Sequence, residues 1–477
     1  MTTREPAVRL SMAVAAVVAS LSFAAPAAAQ AVDPCAAADT PIGTVQGSGA
    51  TVALPGTRTV QGVVVADYEG PSPALRGFYL QDAGDGDPAT SDGIFVFNGA
   101  NTNLVGLGDV VQVTGFAGEN QGQSQIGAGT IVRCGTTGTV APTDVAMPFP
   151  SADYLERFEG MLVRFPQTLY VTEHFQLGRF GQVVLSSGAR LRQPTEIALP
   201  GAAANALQSA NSLNQLILDD ASQAQNPDPI VFARGGQPLS AANTLRGGDT
   251  ATGAVGVLTF TWAGNSASGN AYRLRPLGAL GGGVRFDAAN PRPDLAPRVG
   301  GTLRVASFNV LNWFNTFNDR NVATPGCFPG GTDADCRGAN GQAEFERQSA
   351  KTVAALAKLD GHVVGLIELE NDGYGADSSI ADLVAKLNAA TAPGRYAFLD
   401  VDARTGMTRA LGTDGIRVGL IYQPSKVTPV GRTAVLDTAA FVNGGDDAPR
   451  NRVALLQAFE TAGTAERFSV VVNHLKS

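Results

Sequence analysis

Three polar residues stand where apolar strands end. Asn309 follows VASF, Glu368 closes VVGLI, and His474 ends SVVVN. A carboxylate at the mouth of a buried strand is costly unless it is paired or holds a cation. Asn and Glu offer oxygen ligands suited to Mg²⁺ or Mn²⁺, and a histidine adds a group that gives or takes a proton near neutral pH. Taken singly, each has an ordinary explanation: a capping amide, a surface acid, a hydrogen-bonded imidazole. Their recurrence at matching strand ends is the signal. Glu370 lies two residues beyond Glu368. Strand alternation predicts both on one side, so either carboxylate is a candidate ligand.

The elements that must position these residues alternate in type. LRVASFNVLNW reads as a strand, and AEFERQSAKTVAALAKL as an amphipathic helix with Phe345, Val353, Leu356 and Leu359 on one side. HVVGLIEL reads as a buried strand and SSIADLVAKLNAAT as a second helix, capped by Ser378 or Ser379. IRVGLIY, VALLQAF and FSVVVNHL are further strands. Some lie too close in sequence for a crossover helix, which predicts a mixed sheet in an α/β domain.

Upstream the texture is β throughout. From Pro41 to Val140, TVQGVVVADY, GFYLQDAG, GIFVFNG and DVVQVTGFAG each read as a strand entering a turn. Five or so such strands predict a small barrel of the oligonucleotide-binding type. Basic and aromatic residues are thin there: Arg76, Phe78 and Tyr79 stand almost alone. A second β-rich stretch runs from Tyr154 to Leu280, with a short helix or Ala-rich loop over Ala202–Asn211. His174 in that stretch has no partner at metal-ligand spacing, and the acidic loop DAGDGDPATSDG does not match a calcium-binding hand. A Pro-punctuated segment, AANPRPDLAP, separates all this from the α/β part. The expected organisation is a leader at 1–29, an OB-like β domain at 35–140, a second β-rich domain at 141–287, a linker at 288–301 and an α/β domain at 302–477.

Arg4 and Arg9 precede an apolar run from Leu10 to Ala25, and Ala27–Ala29 follows as a small-residue cleavage site. That is an export leader, since the run is short for the ~20 residues a membrane span needs. Secretion, or a periplasmic location, follows as an expectation, with no membrane contact in the mature form. Four cysteines agree with an oxidising compartment and predict two disulfides, Cys327 with Cys336 and Cys35 with Cys134. The net charge of −8 gives no general attraction for nucleic acid, although a bound divalent ion can supply positive charge locally.

The segment from Thr302 to Ser477 resembles the endonuclease/exonuclease/phosphatase (deoxyribonuclease I-like) superfamily. Within it, the chain is most similar to secreted bacterial extracellular nucleases that carry a β domain ahead of the catalytic one. The residues that carry the likeness are SFNVLNWFNTF, GLIELENDGYG, GTDGIRVGLIYQPSKV, NRVALLQAF and VVNHLKS, five segments in the family's order. The resemblance implies an α/β two-layer sandwich. It implies that Asn309 and Glu368 are metal ligands, with Mg²⁺ or Mn²⁺ as the ion and Ca²⁺ a further candidate. Arg452 then contacts substrate phosphate, His474 lies beside the scissile phosphate, and Asp414 hydrogen-bonds and orients His474. The family places further acidic, Asn and His residues beyond these segments, whereas the chain ends three residues after His474. The expectation is a truncated catalytic domain, inactive as written and poorly stable in its last third. The implied function is metal-dependent hydrolysis of phosphodiesters in extracellular nucleic acid, with DNA as the polymer and no obligate protein partner. Two alternatives stay open: a secreted phosphomonoesterase or nucleotidase, and a β-domain binding protein with a degenerate catalytic domain.

Overall fold

Between Gly56 and Gly135 the alternating apolar residues close on themselves. In the computed structural model, which describes residues 35, 39–99, 102–135, 138–277, 284–317, 326–329, 336–445 and 448–476, strands β1 (Gly56–Tyr68), β2 (Gly77–Gln81), β3 (Gly93–Phe97), β4 (Val110–Asn120) and β5 (Gln123–Gly135) form a closed barrel in the order β1-β2-β3-β5-β4. All pairings are antiparallel except β3 with β5. Inward residues including Val60, Phe78, Leu80, Ile94, Val113 and Ile126 fill the barrel. The leader read over residues 1–29 lies outside the described residues. No described helix is long and apolar enough to cross a membrane.

The next region folds as a six-stranded sheet: β6 (Thr143–Asp144), β7 (Leu162–Glu173), β8 (Gln182–Ser187), β9 (Leu216–Asp219), β10 (Thr250–Thr261) and β11 (Ala271–Pro276). The Ala-rich stretch is a helix, Ala202–Ser212. Barrel and sheet belong to one compact unit, which ends at Pro291. They share a buried cluster of Val65, Tyr68, Tyr79 and Phe95 from the barrel with Leu162 and Val257 from the sheet. At Gly93 and Gly160 the two backbones approach so closely that an added Cβ on either would fall 2.3–2.6 Å from the other chain segment. Only glycine permits that contact. The barrel and the six-stranded sheet keep cores of their own and share this smaller cluster.

The second unit begins at Arg292. Strands β12 (Val305–Trp313), β13 (Val363–Glu370), β14 (Ala397–Phe398) and β15 (Ile416–Tyr422) form a mixed sheet in the order β12-β13-β15-β14. β12 and β13 are parallel, joined through the helix Gln342–Leu359, while β15 runs antiparallel to β13. That helix and a second, Ser379–Ala390, lie on one face. Phe345, Leu356, Ile380, Leu383 and Leu387 pack there on Val364, Leu366 and Leu369. On the other face, Val363, Val418 and Leu420 meet Val427, Leu455, Phe459 and Val472. These come from a three-stranded antiparallel sheet of β16 (Val427–Leu436), β17 (Ala454–Thr461) and β18 (Arg467–Val472). Helices, mixed sheet and second sheet form three layers. Neither serine closes the second helix with its own side chain: Asp372 accepts the Ser379 N–H instead.

Candidate active site

At the carboxyl ends of β12 and β13 both strands leave regular register. β12 slips against β13 between Asn309 and Trp313, and β13 slips against β15 between Leu366 and Leu369. Leu311 (φ 53°), Asn312 (φ 50°) and Glu368 (φ 70°) lie in these stretches in left-handed conformation. A non-glycine residue held there costs on the order of 1–3 kcal/mol, and it persists only where surrounding contacts impose it. Gln348 supplies part of that constraint from the helix, donating to the carbonyls of Val310 and Leu311 at 3.1 and 2.6 Å.

The slips turn Glu368 toward β12. Its Oε1 accepts from Asn309 Nδ2 at 2.8 Å, and its Oε2 accepts from the Asn312 N–H at 3.1 Å. Asn309 Oδ1 in turn accepts from the Leu311 N–H at 2.7 Å. His474, two residues past the end of β18, places Nε2 3.7 Å from Glu368 Oε1, within Coulombic reach but beyond a hydrogen bond. Burial and the Arg452 guanidinium hold the imidazole below its ordinary value, against the pull of Glu368 and Asp414. Burial and Arg452 thus favour the neutral imidazole over its charged form.

Arg452 joins this group through its backbone, its N–H donating to the His474 carbonyl at 3.1 Å. Its side chain lies 3.5 Å from Asp414 Oδ2. Asp414 Oδ1 accepts from Arg337 at 3.0 Å and from the Ile416 N–H at 3.1 Å. Asn371 fixes the turn that carries Asp414, donating to the carbonyls of Gly412 and Asp414 at 2.9 and 3.0 Å. Two buried nitrogens in the cluster, His474 Nδ1 and Arg452 Nε, have no hydrogen-bond partner. A buried polar atom left unsatisfied costs about 1–3 kcal/mol, and these two lie beside Glu368 and Asp414.

Two expectations need correction. Asp414 does not hydrogen-bond His474: it pairs with Arg337 and the Ile416 N–H through Oδ1 and lies beside Arg452 through Oδ2, and it reaches the imidazole only through its charge. Glu368 and Glu370 do not share a site, because the left-handed turn at Glu368 breaks the alternation that would have aligned them. Glu370 is fully buried and accepts from the N–H groups of Asn315, Thr316 and Phe328 at 3.1, 3.2 and 3.4 Å. Burial, then the neighbouring Asp372, push its carboxyl up to about 7. Glu370 is a clamp for two loops.

The structure thus brings Asn309, Glu368, His474, Arg452 and Asp414 into one chain of contacts. It adds Asn312, Gln348 and Arg337, which the sequence reading missed. Only Arg337 had a visible cue, its place directly after Cys336. The donor set of one carboxylate and one amide oxygen suits a hard cation that keeps several waters and takes phosphate oxygens, as Mg²⁺ does. It does not suit zinc, which requires three or four protein ligands. Among the described residues no group of three His, Cys, Asp or Glu stands together as a metal cage.

No protein-family model and no curated protein matches the chain. Among solved structures it is weakly similar to members of the endonuclease/exonuclease/phosphatase family. One such protein from Bacteroides thetaiotaomicron is 16% identical, with 35% of this chain and 49% of that chain covered and a TM-score of 0.21. The human Nocturnin catalytic domain with bound sulfate anion is 14% identical, with 37% and 50% covered and a TM-score of 0.22. A mannosyl-6-phosphatase from Bacteroides thetaiotaomicron VPI-5482 is 16% identical, with 36% and 50% covered and a TM-score of 0.22. The chain spans about half the length of the solved structures it matches. At that level of overlap the reading of the site rests on its own geometry.

Proposed function

We propose that the unit from Arg292 onward is the metal- and phosphate-binding part of a secreted hydrolase that cleaves phosphodiesters in extracellular nucleic acid, with DNA as the polymer. The observation that carries this reading is the pair of unpartnered buried nitrogens, His474 Nδ1 and Arg452 Nε, beside the strained carboxylate Glu368. Arg452 Nε would donate a charge-assisted hydrogen bond to a non-bridging phosphate oxygen. Neutral His474 would take a proton from, or hydrogen-bond to, the group at phosphorus. Asn309 and the Asn312 N–H hold Glu368 in place, so no reorganisation is needed when charge develops. Glu368, with the Asn309 amide oxygen, would hold Mg²⁺ or Mn²⁺, which supplies positive charge against the phosphate.

This unit packs three layers, helices, mixed sheet and second sheet, one more than the two-layer sandwich that the resemblance implies. The strand order of the barrel, with its one parallel pair, fits the oligonucleotide-binding type. Tyr79 and Phe95 are buried against the six-stranded sheet, while Phe116 on β4 is exposed. The paired cysteines agree with secretion.

The test is binding of Mn²⁺, read from loss of the free-ion paramagnetic resonance signal, and of a dinucleoside monophosphate, read by calorimetry. Binding of both is expected, with Glu368→Gln removing the ion and Arg452→Ala weakening the phosphodiester. Mn²⁺ affinity unchanged in Glu368→Gln would overturn the metal assignment. DNA cleavage by the chain as it stands would overturn only the expectation that it is inactive.

A further inference from the structure

Arg337 reaches Asp414 from a loop that the fold anchors with unusual thoroughness. Cys327 and Cys336 are disulfide-bonded across nine residues, and Arg337 follows at once. Cys327 is fully buried, packed with Phe314 and Ile416. Its neighbour Phe328 donates its N–H to the buried Glu370, which also holds the N–H groups of Asn315 and Thr316. The Cys327 N–H lies 3.2 Å from Cys336 Sγ. A surface ion pair with Asp414 needs no such anchorage, since exposed pairs contribute about 0–1 kcal/mol. These contacts anchor the backbone at Cys327 and Cys336, directly before Arg337.

Arg337 and Arg452 meet opposite oxygens of the same carboxylate, at 3.0 and 3.5 Å. The side chain of Arg452 is 18% exposed and stands beside His474, where a reacting phosphate would lie; that of Arg337 is 38% exposed and stands one carboxylate farther out. With Asp414 between them, the trio carries a net positive charge spread over two separate donors. A phosphomonoester has one phosphate and would engage only the inner one. A nucleic-acid strand carries a phosphate at every nucleotide and would engage both.

We propose that Arg337 is a specificity residue that binds the phosphate flanking the one held by Arg452, with the Cys327–Cys336 disulfide directly before it anchoring its backbone. This rests on the phosphodiester reading above, and it makes the substrate a polymer rather than a small phosphate ester. The test compares a fluorescently labelled single-stranded DNA 12-mer with a dinucleoside monophosphate, both titrated in EDTA against the full chain across a salt series. Arg337→Ala is expected to weaken the 12-mer about tenfold and to lower the slope of log Kd against log salt by about 0.7, the value of one lost single-strand phosphate contact. The dinucleotide affinity should fall far less than that of the 12-mer. Arg337→Lys should keep the salt slope, and Cys327→Ser with Cys336→Ser should reproduce the selective loss for the 12-mer. Equal loss for both ligands in Arg337→Ala would show a merely structural role and overturn the proposal, as would no loss for either. A wild-type chain that binds no dinucleotide, or an Arg452→Ala chain that binds it unchanged, would sink the phosphodiester reading itself, and Arg337 with it.

Discussion

Two polar clusters in this molecule are rich in charge, and they differ in how completely their atoms are satisfied. In the first unit, Asp219 is fully buried between Arg273 and Arg275, at 3.3 Å from each. The remaining guanidinium donors reach the carbonyls of Thr261, Gly269 and Trp262 and the Tyr79 hydroxyl. The Tyr68 hydroxyl caps the carbonyl of Pro276, and none of these side chains has a buried atom without a partner. In the second unit, Glu368 sits in a strained backbone, and two buried nitrogens near it are unpartnered. Charge density alone does not mark a functional site. A saturated network cross-braces the barrel and the sheet it spans, whereas the cluster around Glu368 leaves buried nitrogens unpartnered and a backbone strained, as the proposed ligand site would require.

Four experiments can break or sharpen that contrast. The largest effect should come from Asp219→Ala, which leaves two guanidiniums buried without their counter-charge and should cost about 3–5 kcal/mol of stability. Denaturant unfolding with disulfides intact measures it, and Mn²⁺ binding per folded molecule should not change. A cost below about 1 kcal/mol would mean that the network braces nothing.

Asp220, beside that network, is answered by protonation. Burial, then the adjacent Asp219, raise its carboxyl from 3.8 to about 7. The folded state thus holds the proton more tightly than the unfolded chain does. Stability should fall as pH rises from about 4 through about 7. Asp220→Asn should flatten that profile and stabilise the protein at pH 9 by on the order of 3 kcal/mol, with the advantage gone below pH 4. A wild-type profile that is already flat would show Asp220 paired in solution.

For the unsaturated cluster, Glu368→Gln removes its one carboxylate ligand. Mn²⁺ affinity should fall by at least the ~100-fold that losing a mere supporting residue can cost, about 2.7 kcal/mol. The smallest effect carries the opposite sign. Glu368→Gly relieves the left-handed strain, and it should raise thermal stability by about 1 kcal/mol while binding no ion. A destabilised Glu368→Gly variant would mean that the hydrogen bonds from Asn309 and Asn312 outweigh the strain. The site would then be as much a brace as the first cluster.

Much of this architecture was legible in the chain because its signals are local. Period-two alternation announced the barrel strands, and a 3.6-residue period announced the helix Gln342–Leu359. The polar residues breaking the ends of VASF, VVGLI and SVVVN marked Asn309, Glu368 and His474, which do converge. The cysteine pairing was also readable from position and compartment. What failed were inferences that needed regularity to continue. Alternation put Glu370 beside Glu368, but paired register slips and a positive φ sent one carboxylate to His474 and the other to the loops at Asn315 and Phe328.

The sequence by itself determined which segments become strands and helices, and which polar residues lie at their ends, because side-chain period and chain neighbours set both. Only the tertiary structure decided who meets whom at those ends. Arg337 and Arg452, 115 positions apart in the sequence, meet on opposite oxygens of Asp414, which makes no hydrogen bond to His474. Glu368 holds a conformation that no residue type announces, with Asn309 and the Asn312 N–H of β12 holding its carboxylate. A carboxylate has two oxygens, and their allocation is settled by proximity in space, to which sequence spacing is blind.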